Sequence, residues 1–288
     1  QADQLAFNYL DNAGYSSMGL LTSLQKLRSK QWFGSNQVPA YLMTHPASEE
    51  RMGNIDTHVA NNPLPEKNRR PVDENAFRFV QATLSGKYSD ADTALAAFDS
   101  QLKTLPGDTI ALYGKALALA QMGDYPNSVI YLKKALEKDA LNPVMLKELG
   151  RIYFLEGQFP KALQALEGSV GLAPEDSEGL FYLSRTRMEL GELDKAADGF
   201  NTILERNPTE TEAYLFLGNT YGMQGNMGEA HYYLGKYYQL KGSWKTAVVH
   251  LEKALPLITD PKQKEEIETM LKRATKTARD ESLEKEVE

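Results

Sequence analysis

Apolar residues recur at helical spacing through most of the chain, and a longer period is superimposed on them. Gly123, Gly157, Gly191 and Gly225 are each 34 residues apart. One amphipathic segment precedes each of these glycines and a second one follows it. Glycine is favoured at the end of a helix because it adopts left-handed backbone without a Cβ clash. From about residue 72 to residue 260, the pattern therefore predicts repeated pairs of antiparallel helices.

A 34-residue period with two helices in each unit is typical of tetratricopeptide repeats, and this part of the chain resembles that family. A single helix pair of this kind cannot bury its apolar face. The resemblance therefore implies that the pairs stack into a right-handed superhelix with an extended concave surface.

The spacing changes at both ends of the repeats. Gly86 precedes Gly123 by 37 residues, which predicts a first repeat with a three-residue insertion near residues 87–92. Gly242 follows Gly225 by only 17 residues, so the helix at about residues 227–240 is expected to belong to two successive pairs. A last helix, from Pro261 to about Thr277, has the polar face expected of a terminal cap.

The first helix of each pair lines the concave surface in this family. The resemblance places the following residues there: Tyr113, Lys147, Arg151, Phe154, Phe181, Arg185, Met188, Leu215 and Asn219. Cations interleaved with aromatic rings favour an extended peptide that is acidic or ends in a carboxylate. The alternative is a solvated face without a ligand. Tyr113 and Leu117 occupy the places of the Lys-Asn clamp that some members use for chaperone C-termini, which argues against a cytoplasmic co-chaperone.

Residues 1–70 do not follow the repeat. Their pattern predicts one helix over residues 2–13, a second that begins near Met18, and a third from about His45 and Pro46 to Ala60. Pro46 suits the first position of a helix, and His45 suits the residue that caps it. Residues 61–71 contain three prolines and a basic cluster, and they are predicted to form a linker to the repeats.

Two stretches of the N-terminal region, QADQLAFNYLDNAGYS and PAYLMTHPASEERMGNI, resemble the C-terminal part of the catalytic domain of M48 zinc metallopeptidases. The resemblance puts Gln1 at the third zinc ligand, which is normally Glu, and Asp3 at the residue that supports the ligand histidines. It puts His45 at a histidine that can take a fourth position on the zinc, and Arg51 at the arginine of the following helix. Periplasmic members of that family carry tetratricopeptide repeats after this domain.

The M48 resemblance lacks the motif that binds the metal. The chain contains no His-Glu-x-x-His, and its histidines are His45, His58, His231 and His250. A catalytic zinc site needs three protein ligands and an open position for water. Zinc is therefore expected in a full-length parent protein and not in this fragment, which by itself should not be catalytic. A first residue of Gln rather than Met predicts a processed or truncated product.

Composition limits the other functions. The formal net charge is −7 and the one basic block is Lys67–Arg70, so no nucleic-acid partner is expected. The chain has no cysteine, which excludes disulfides, thiolate metal sites and cysteine nucleophiles. The longest apolar runs, such as residues 110–122, are too short to cross a bilayer, so no transmembrane segment is predicted.

The sequence thus predicts an all-α fold in which a tetratricopeptide repeat superhelix follows a short helical remnant of a metallopeptidase domain. The predicted domains are residues 1–70, residues 71–260 with about five repeats, and a capping helix and polar tail over residues 261–288. The first interpretation is the protein-binding domain of a periplasmic M48-type zinc metallopeptidase, acting in protein quality control or outer-membrane protein assembly, with the assembly machinery as an implied partner. The alternative is a non-catalytic repeat adaptor, for which the cytoplasm is expected.

Overall fold

In a computed structural model of the chain, described for residues 2–32, 49–62 and 74–287, every regular element is an α-helix. The predicted all-α fold is confirmed in these ranges. The chain divides into two compact units, residues 1–74 and 75–288. No helix in the described ranges is long and apolar enough to cross a membrane.

The helices are numbered in chain order. The N-terminal unit contains α1 (Ala2–Asn12), α2 (Met18–Trp32) and α3 (Glu49–Asn61). The helices that follow are α4 (Glu74–Tyr88), α5 (Ala91–Thr104), α6 (Thr109–Gln121), α7 (Tyr125–Leu136), α8 (Pro143–Leu155), α9 (Phe159–Leu172), α10 (Ser177–Glu189), α11 (Leu193–Arg206), α12 (Thr211–Met223), α13 (Met227–Leu240), α14 (Trp244–Ala254) and α15 (Pro261–Val287).

The N-terminal unit has a small apolar core of its own, made by Phe7, Leu21, Leu24, Met52 and Ile55. Leu21 and Leu24 on α2, and Met52 and Ile55 on α3, are three residues apart and so lie on one face of each helix, where they pack with Phe7 of α1. α1 ends one residue before its predicted end at residue 13, and α2 begins at Met18 as predicted. The predicted start of the third helix, near residues 45–46, lies outside the described residues.

The glycines that define the period end their helices as predicted. Gly123, Gly157, Gly191, Gly225 and Gly242 all have positive φ, between 71° and 81°. Each follows the last turn of α6, α8, α10, α12 or α13, where a side chain would strain the backbone. The chain can therefore reverse direction within a few residues and begin the second helix of the pair.

The two helices of a pair approach closely because small residues lie between them. A Cβ added at Gly150 in α8 would lie 2.4 Å from Cγ of Leu166 in α9. Both Leu166 and Ile152 are fully buried. The core continues along the array, since α8 contacts α10 and α10 contacts α12 as well as their own partners. The helices α4, α6, α8, α10 and α12 are called the inner helices below.

The predicted insertion near residues 87–92 is wrong. Asp90 and Asp124 are equivalent N-cap residues of α5 and α7, and they are 34 residues apart, so the period is intact. Gly86 does not end a helix. It lies within α4, where an added Cβ would be 2.6 Å from Cβ of Leu117. Close packing between α4 and α6 requires this glycine, and Ser89 takes the position of the turn glycine.

The C-terminal end of the array contains the predicted shared helix. α13 packs against both α12 and α14, which explains the half-period spacing of Gly225 and Gly242. The last helix is longer than predicted, because α15 runs to Val287 rather than ending near Thr277. Residues 278–287 contain no glycine or proline and are rich in Glu, Lys and Arg, which favour helix.

Candidate peptide-binding surface

The residues predicted to line the concave surface all lie on α6, α8, α10 and α12, and their exposure differs widely. Asn219 is exposed; Arg151, Phe181, Arg185 and Leu215 are partly buried; Lys147, Phe154 and Met188 are buried; and Tyr113 is fully buried. The ring of Tyr113 stacks on Phe79 of α4 with centroids 4.4 Å apart. Its hydroxyl accepts a hydrogen bond from Thr83. Tyr113 therefore packs between α4 and α6.

Two cations of α8 are held by carboxylates of the protein itself. Nζ of Lys147 lies 2.8 Å from Oδ2 of Asp176 and 2.7 Å from Oε2 of Glu178, at the start of α10. Nε of Arg151 donates to Oε2 of Glu148 at 2.8 Å. Charge-assisted bonds of this length are among the stronger ones in proteins. Both cations are thus engaged before any ligand arrives.

Glu148 is the central carboxylate of this group, and its side chain is 1% exposed. Lys87 of α4 contacts it from the other side and also lies 3.8 Å from Glu178. Burial raises the pKa of Glu178, but its contacts with Lys147 and Lys87 lower the pKa further than burial raises it. We call this group the paired cluster; it consists of Lys87, Lys147, Arg151, Glu148, Asp176 and Glu178. Its three cations balance its three carboxylates.

Arg185 of α10 has a different environment, made of aromatic rings. Its guanidinium carbon lies 4.5 Å from the ring centroid of Phe154, 4.3 Å from that of Phe216 and 5.8 Å from that of Phe181. These rings come from α8, α12 and α10, so three inner helices contribute to one site. We call these four residues the Arg185 cage. A cation over the faces of aromatic rings is stabilised by the ring quadrupoles.

The Arg185 cage contains no anion. Nε of Arg185 is buried and has no hydrogen-bond partner, and no carboxylate in the described ranges lies within ion-pair distance. Burial lowers the pKa of Arg185. The group is still a cation at neutral pH, because the ordinary pKa of arginine is above about 12. Glu189 and Glu212 attract the guanidinium, but neither forms an ion pair with it. The N–H donors of its two terminal nitrogens therefore remain available for a carboxylate.

Several residues of this surface were not singled out by the sequence. Glu148 could have been found, because it precedes Arg151 by three residues and lies beside it on the same helix. Phe216, Lys87, Asp176 and Glu178 come from other helices, and only the packing of the repeats brings them to the site. No periodicity in one helix predicts such contacts.

In the N-terminal unit, the structure joins two residues that carry the M48 resemblance. Arg51 of α3 binds Asp3 of α1 through Nη2 at 2.7 Å and Nε at 2.8 Å, a bidentate pair. Gln1 and His45 lie outside the described residues. The residues that the structure describes include no group of three or more His, Cys, Asp or Glu that could hold a metal ion.

Comparison with protein families identifies the repeats. Residues 85–143 and 153–219 match family models described as tetratricopeptide repeat. A TPR repeat-containing protein of Methanocaldococcus jannaschii is 33% identical over 147 residues. That match covers 51% of this chain but 25% of the relative, so the chain spans about a quarter of the relative's length. The chain contains tetratricopeptide repeats, as the 34-residue period predicts.

Solved structures show the same superhelical fold. One is the crystal structure of YrrB, a TPR protein with an unusual peptide-binding site. YrrB is 23% identical and has a TM-score of 0.52, and the match covers 69% of this chain and 97% of YrrB. Another is MamA from Desulfovibrio magneticus RS-1, which is 21% identical with a TM-score of 0.52, covering 60% of this chain and 97% of MamA. At these identities the likeness concerns the fold alone.

Proposed function

Because the chain contains tetratricopeptide repeats, we propose that it is a non-catalytic adaptor that binds an extended segment of a partner protein along its inner helices. The Arg185 cage is the point of recognition, and it takes a carboxylate of the bound segment. One observation carries the proposal: among the cations predicted to line the concave surface, Arg185 is held by aromatic rings and has no carboxylate partner in the described ranges.

Physical chemistry favours a carboxylate as the ligand group. Arginine presents parallel N–H donors that match the two oxygens of a carboxylate, and such bidentate bonds add geometric selectivity. The rings of Phe154 and Phe216 exclude water from the guanidinium faces, which strengthens a charge-assisted bond at its edge. A peptide with an Asp, a Glu or a free C-terminus would satisfy this site.

The paired cluster limits how many carboxylates the partner segment should carry. Lys147 and Arg151 already bind carboxylates of the protein, so an acidic peptide would have to displace them. Arg185 offers its donors without that competition. The partner segment should therefore have one carboxylate placed at α10 rather than a run of acidic residues along the surface. Neutral or apolar residues on either side of that carboxylate would suit Leu215 and the exposed Asn219.

The test uses peptides selected on the whole chain from a random display library and then measured by fluorescence anisotropy. Arg185→Gln should weaken their binding by about tenfold or more, because a hydrogen bond to a charged group is worth about 1.5–3 kcal/mol. Arg151→Gln is the matched control, since Arg151 occupies the equivalent position one repeat earlier. It should change the peptide affinity by less than about threefold, because Arg151 is already bound to Glu148 and would contribute no more than a weak ion pair to the peptide.

Two outcomes would count against this function. One is that no peptide is selected on the folded chain. The other is that Arg185→Gln and Arg151→Gln weaken binding equally, which would remove the special role of the Arg185 cage. Circular dichroism of both variants ensures that a loss of binding is not a loss of fold.

A second candidate function rests on the bidentate pair of Asp3 and Arg51. We propose, as the rival to an adaptor, that the natural polypeptide is a periplasmic M48-type zinc metallopeptidase that acts with outer-membrane assembly machinery. The resemblance treats Asp3 and Arg51 as neighbours of its active site, and they lie together here. Zinc would have to be held by residue 1 together with the two histidines of a His-Glu-x-x-His motif that this sequence does not contain, and His45 would take the fourth position.

Metal analysis separates the two candidates. The natural polypeptide, purified from its source, should contain one zinc per chain if it is a metallopeptidase, while residues 1–288 alone should contain none. Absence of zinc from both would exclude the metallopeptidase and leave the adaptor. Cell fractionation of the same source tests the compartment, because an M48 enzyme of this type is expected in the periplasm.

A further inference from the structure

We propose that a cavity between α12, α13, α14 and α15 is a second binding site, which takes an apolar group that carries one carboxylate. The cavity has a volume of about 220 Å³. Leu240, Trp244 and Met270 form apolar walls, and Lys236 and Arg273 are its cations. We call it the Trp244 cavity. It shares no residue with the Arg185 cage, so the two sites can be tested separately.

The Trp244 cavity lies at the end of the array, where the shared helix interrupts the repeat. α13 packs against both α12 and α14, and α15 packs against α14. Gln239 of α13 donates from Nε2 to the carbonyl of Met270 in α15 at 2.9 Å. The hydroxyl of Tyr232 in α13 donates to Oε2 of Glu266 in α15, also at 2.9 Å. These bonds hold α13 and α15 together, so the walls of the cavity are in place before a ligand binds.

An equivalent groove three 34-residue periods earlier has a different lining. Among its residues are four lysines and two carboxylates. Leu240 of the Trp244 cavity corresponds to Lys138 of that groove, and Gln239 corresponds to Glu137. Trp244 adds an aromatic wall. The repeat fold thus leaves space at both positions, and the sequence makes only the later one largely apolar.

One cation of the Trp244 cavity has no internal partner. Nζ of Lys236 lies 2.8 Å from Oε1 of Glu266, so its charge is compensated. Arg273 is exposed, and no carboxylate of the described residues lies within ion-pair distance of it. Its guanidinium carbon lies 5.9 Å from the ring centroid of Trp244. A single available guanidinium beside apolar walls matches a single carboxylate attached to an apolar group.

The volume limits the size of the ligand. Pockets for drug-sized molecules have volumes of about 300–1,000 Å³, and the Trp244 cavity is smaller. It therefore suits a group the size of one apolar side chain, such as that of leucine. A carboxylate attached to such a group has two sources, the C-terminal residue of a protein and a free small acid. In both, the apolar group would lie between Trp244 and Met270, and the carboxylate would meet Arg273.

The experiment follows the fluorescence of Trp244 in the whole chain with Trp32→Phe, which leaves Trp244 as the only tryptophan. The probes are N-acetyl-leucine and N-acetyl-leucine amide, which differ only in the carboxylate. The acid should bind with a Kd in the millimolar range, as expected of a ligand of so few atoms. The amide should bind at least about tenfold more weakly, because it cannot form a bidentate charge-assisted bond with Arg273.

Arg273→Gln should remove the preference for the acid over the amide. Lys272→Gln is the matched control, because Lys272 is the neighbouring exposed cation on α15 and does not line the cavity. It should leave the preference unchanged, and so should Arg185→Gln. Failure of the adaptor function would therefore not be confused with failure of this site.

A second pair of ligands distinguishes the sources of the carboxylate. Tighter binding of acetyl-Ala-Ala-Leu than of N-acetyl-leucine would assign the cavity to the C-terminus of a protein, and equal or tighter binding of 4-methylpentanoate would assign it to a free acid. Equal binding of N-acetyl-leucine and its amide would overturn the proposal. So would an unchanged preference in Arg273→Gln, or the absence of binding by both fluorescence and ligand-observed nuclear magnetic resonance.

Discussion

Arg151 and Arg185 occupy the same position of consecutive repeats, 34 residues apart, yet they have opposite surroundings. Arg151 binds Glu148, three residues earlier on α8. The residue that corresponds to Glu148 in the next repeat is Tyr182, so Arg185 has no carboxylate three residues before it. Glu189, four residues after it on α10, attracts it without forming an ion pair. Instead it lies between the rings of Phe154 and Phe216. The difference between Glu148 and Tyr182 thus decides whether the arginine three residues later forms an internal ion pair or stays available to a ligand.

The difference shows how a repeat fold can assign separate tasks to equivalent positions. The paired cluster joins α4, α8 and the start of α10, and therefore fixes the spacing of the inner helices. The Arg185 cage joins three inner helices through aromatic contacts and leaves the donors of its cation available. A scaffold needs both, because a binding site is useful only on a surface whose geometry is held constant.

Removal of the Glu148 carboxylate should have the largest effect. Glu148→Gln leaves Lys87 and Arg151 in a largely buried site without their shared anion. Breaking a buried ion pair in this way should lower the free energy of unfolding by about 3 kcal/mol. Urea denaturation followed by circular dichroism measures it.

Tyr182→Phe is the control at the equivalent position of the next repeat. It removes only a hydroxyl from a partly buried ring and should change the free energy of unfolding by less than about 1 kcal/mol. If both variants were equally stable, Glu148 would have no special role in the paired cluster.

A substitution at Tyr182 can give Arg185 the internal carboxylate partner that Arg151 already has. Tyr182→Glu places a carboxylate three residues before Arg185, as in α8, and should pair with its guanidinium. Binding of a selected peptide should then weaken by about tenfold, because the ligand must displace an internal partner. Anisotropy titration gives the affinity.

Tyr182→Gln serves as the neutral counterpart. It removes the aromatic ring, as Tyr182→Glu does, but it introduces no charge. It should therefore retain more of the peptide affinity than Tyr182→Glu. Equal affinities for the two variants would mean that the charge of Arg185 does not take part in recognition.

The sequence predicted the repeats well because the signal is local and periodic. Glycines such as Gly157 and Gly191 end helices through their own backbone, so their spacing alone predicts the helix pairs. The error at Gly86 has the opposite cause. Gly86 is required by its contact with α6. The spacing of residues along α4 does not reveal a contact with another helix.

The site was only partly predictable for the same reason. Lys147, Arg151 and Arg185 were assigned to one surface by repeat position, and they do lie on the inner helices. Repeat position could not distinguish the paired cations from Arg185, because Asp176 and Phe216 reach them from neighbouring helices. The pairing depends on which side chains meet after the repeats have stacked.

The smallest expected effect is the pH dependence of the paired cluster. The pKa of Glu178 is lower in the folded chain than its usual value, so its ion pairs stabilise the fold above the ordinary pKa of about 4.3 and are lost as the pH falls through the folded pKa. About half of this side chain is exposed, so solvent screening should keep the contribution below about 1 kcal/mol.

Urea denaturation from pH 6 to pH 3 should therefore show a slightly shallower loss of stability for Glu178→Gln than for the wild type. Arg185→Gln should change the slope less than Glu178→Gln does, because Glu189 and Glu212 attract Arg185 without forming an ion pair with it. A larger change of slope in Arg185→Gln than in Glu178→Gln would mean that Arg185 is paired with a carboxylate of the protein, and it would end the distinction between the two arginines.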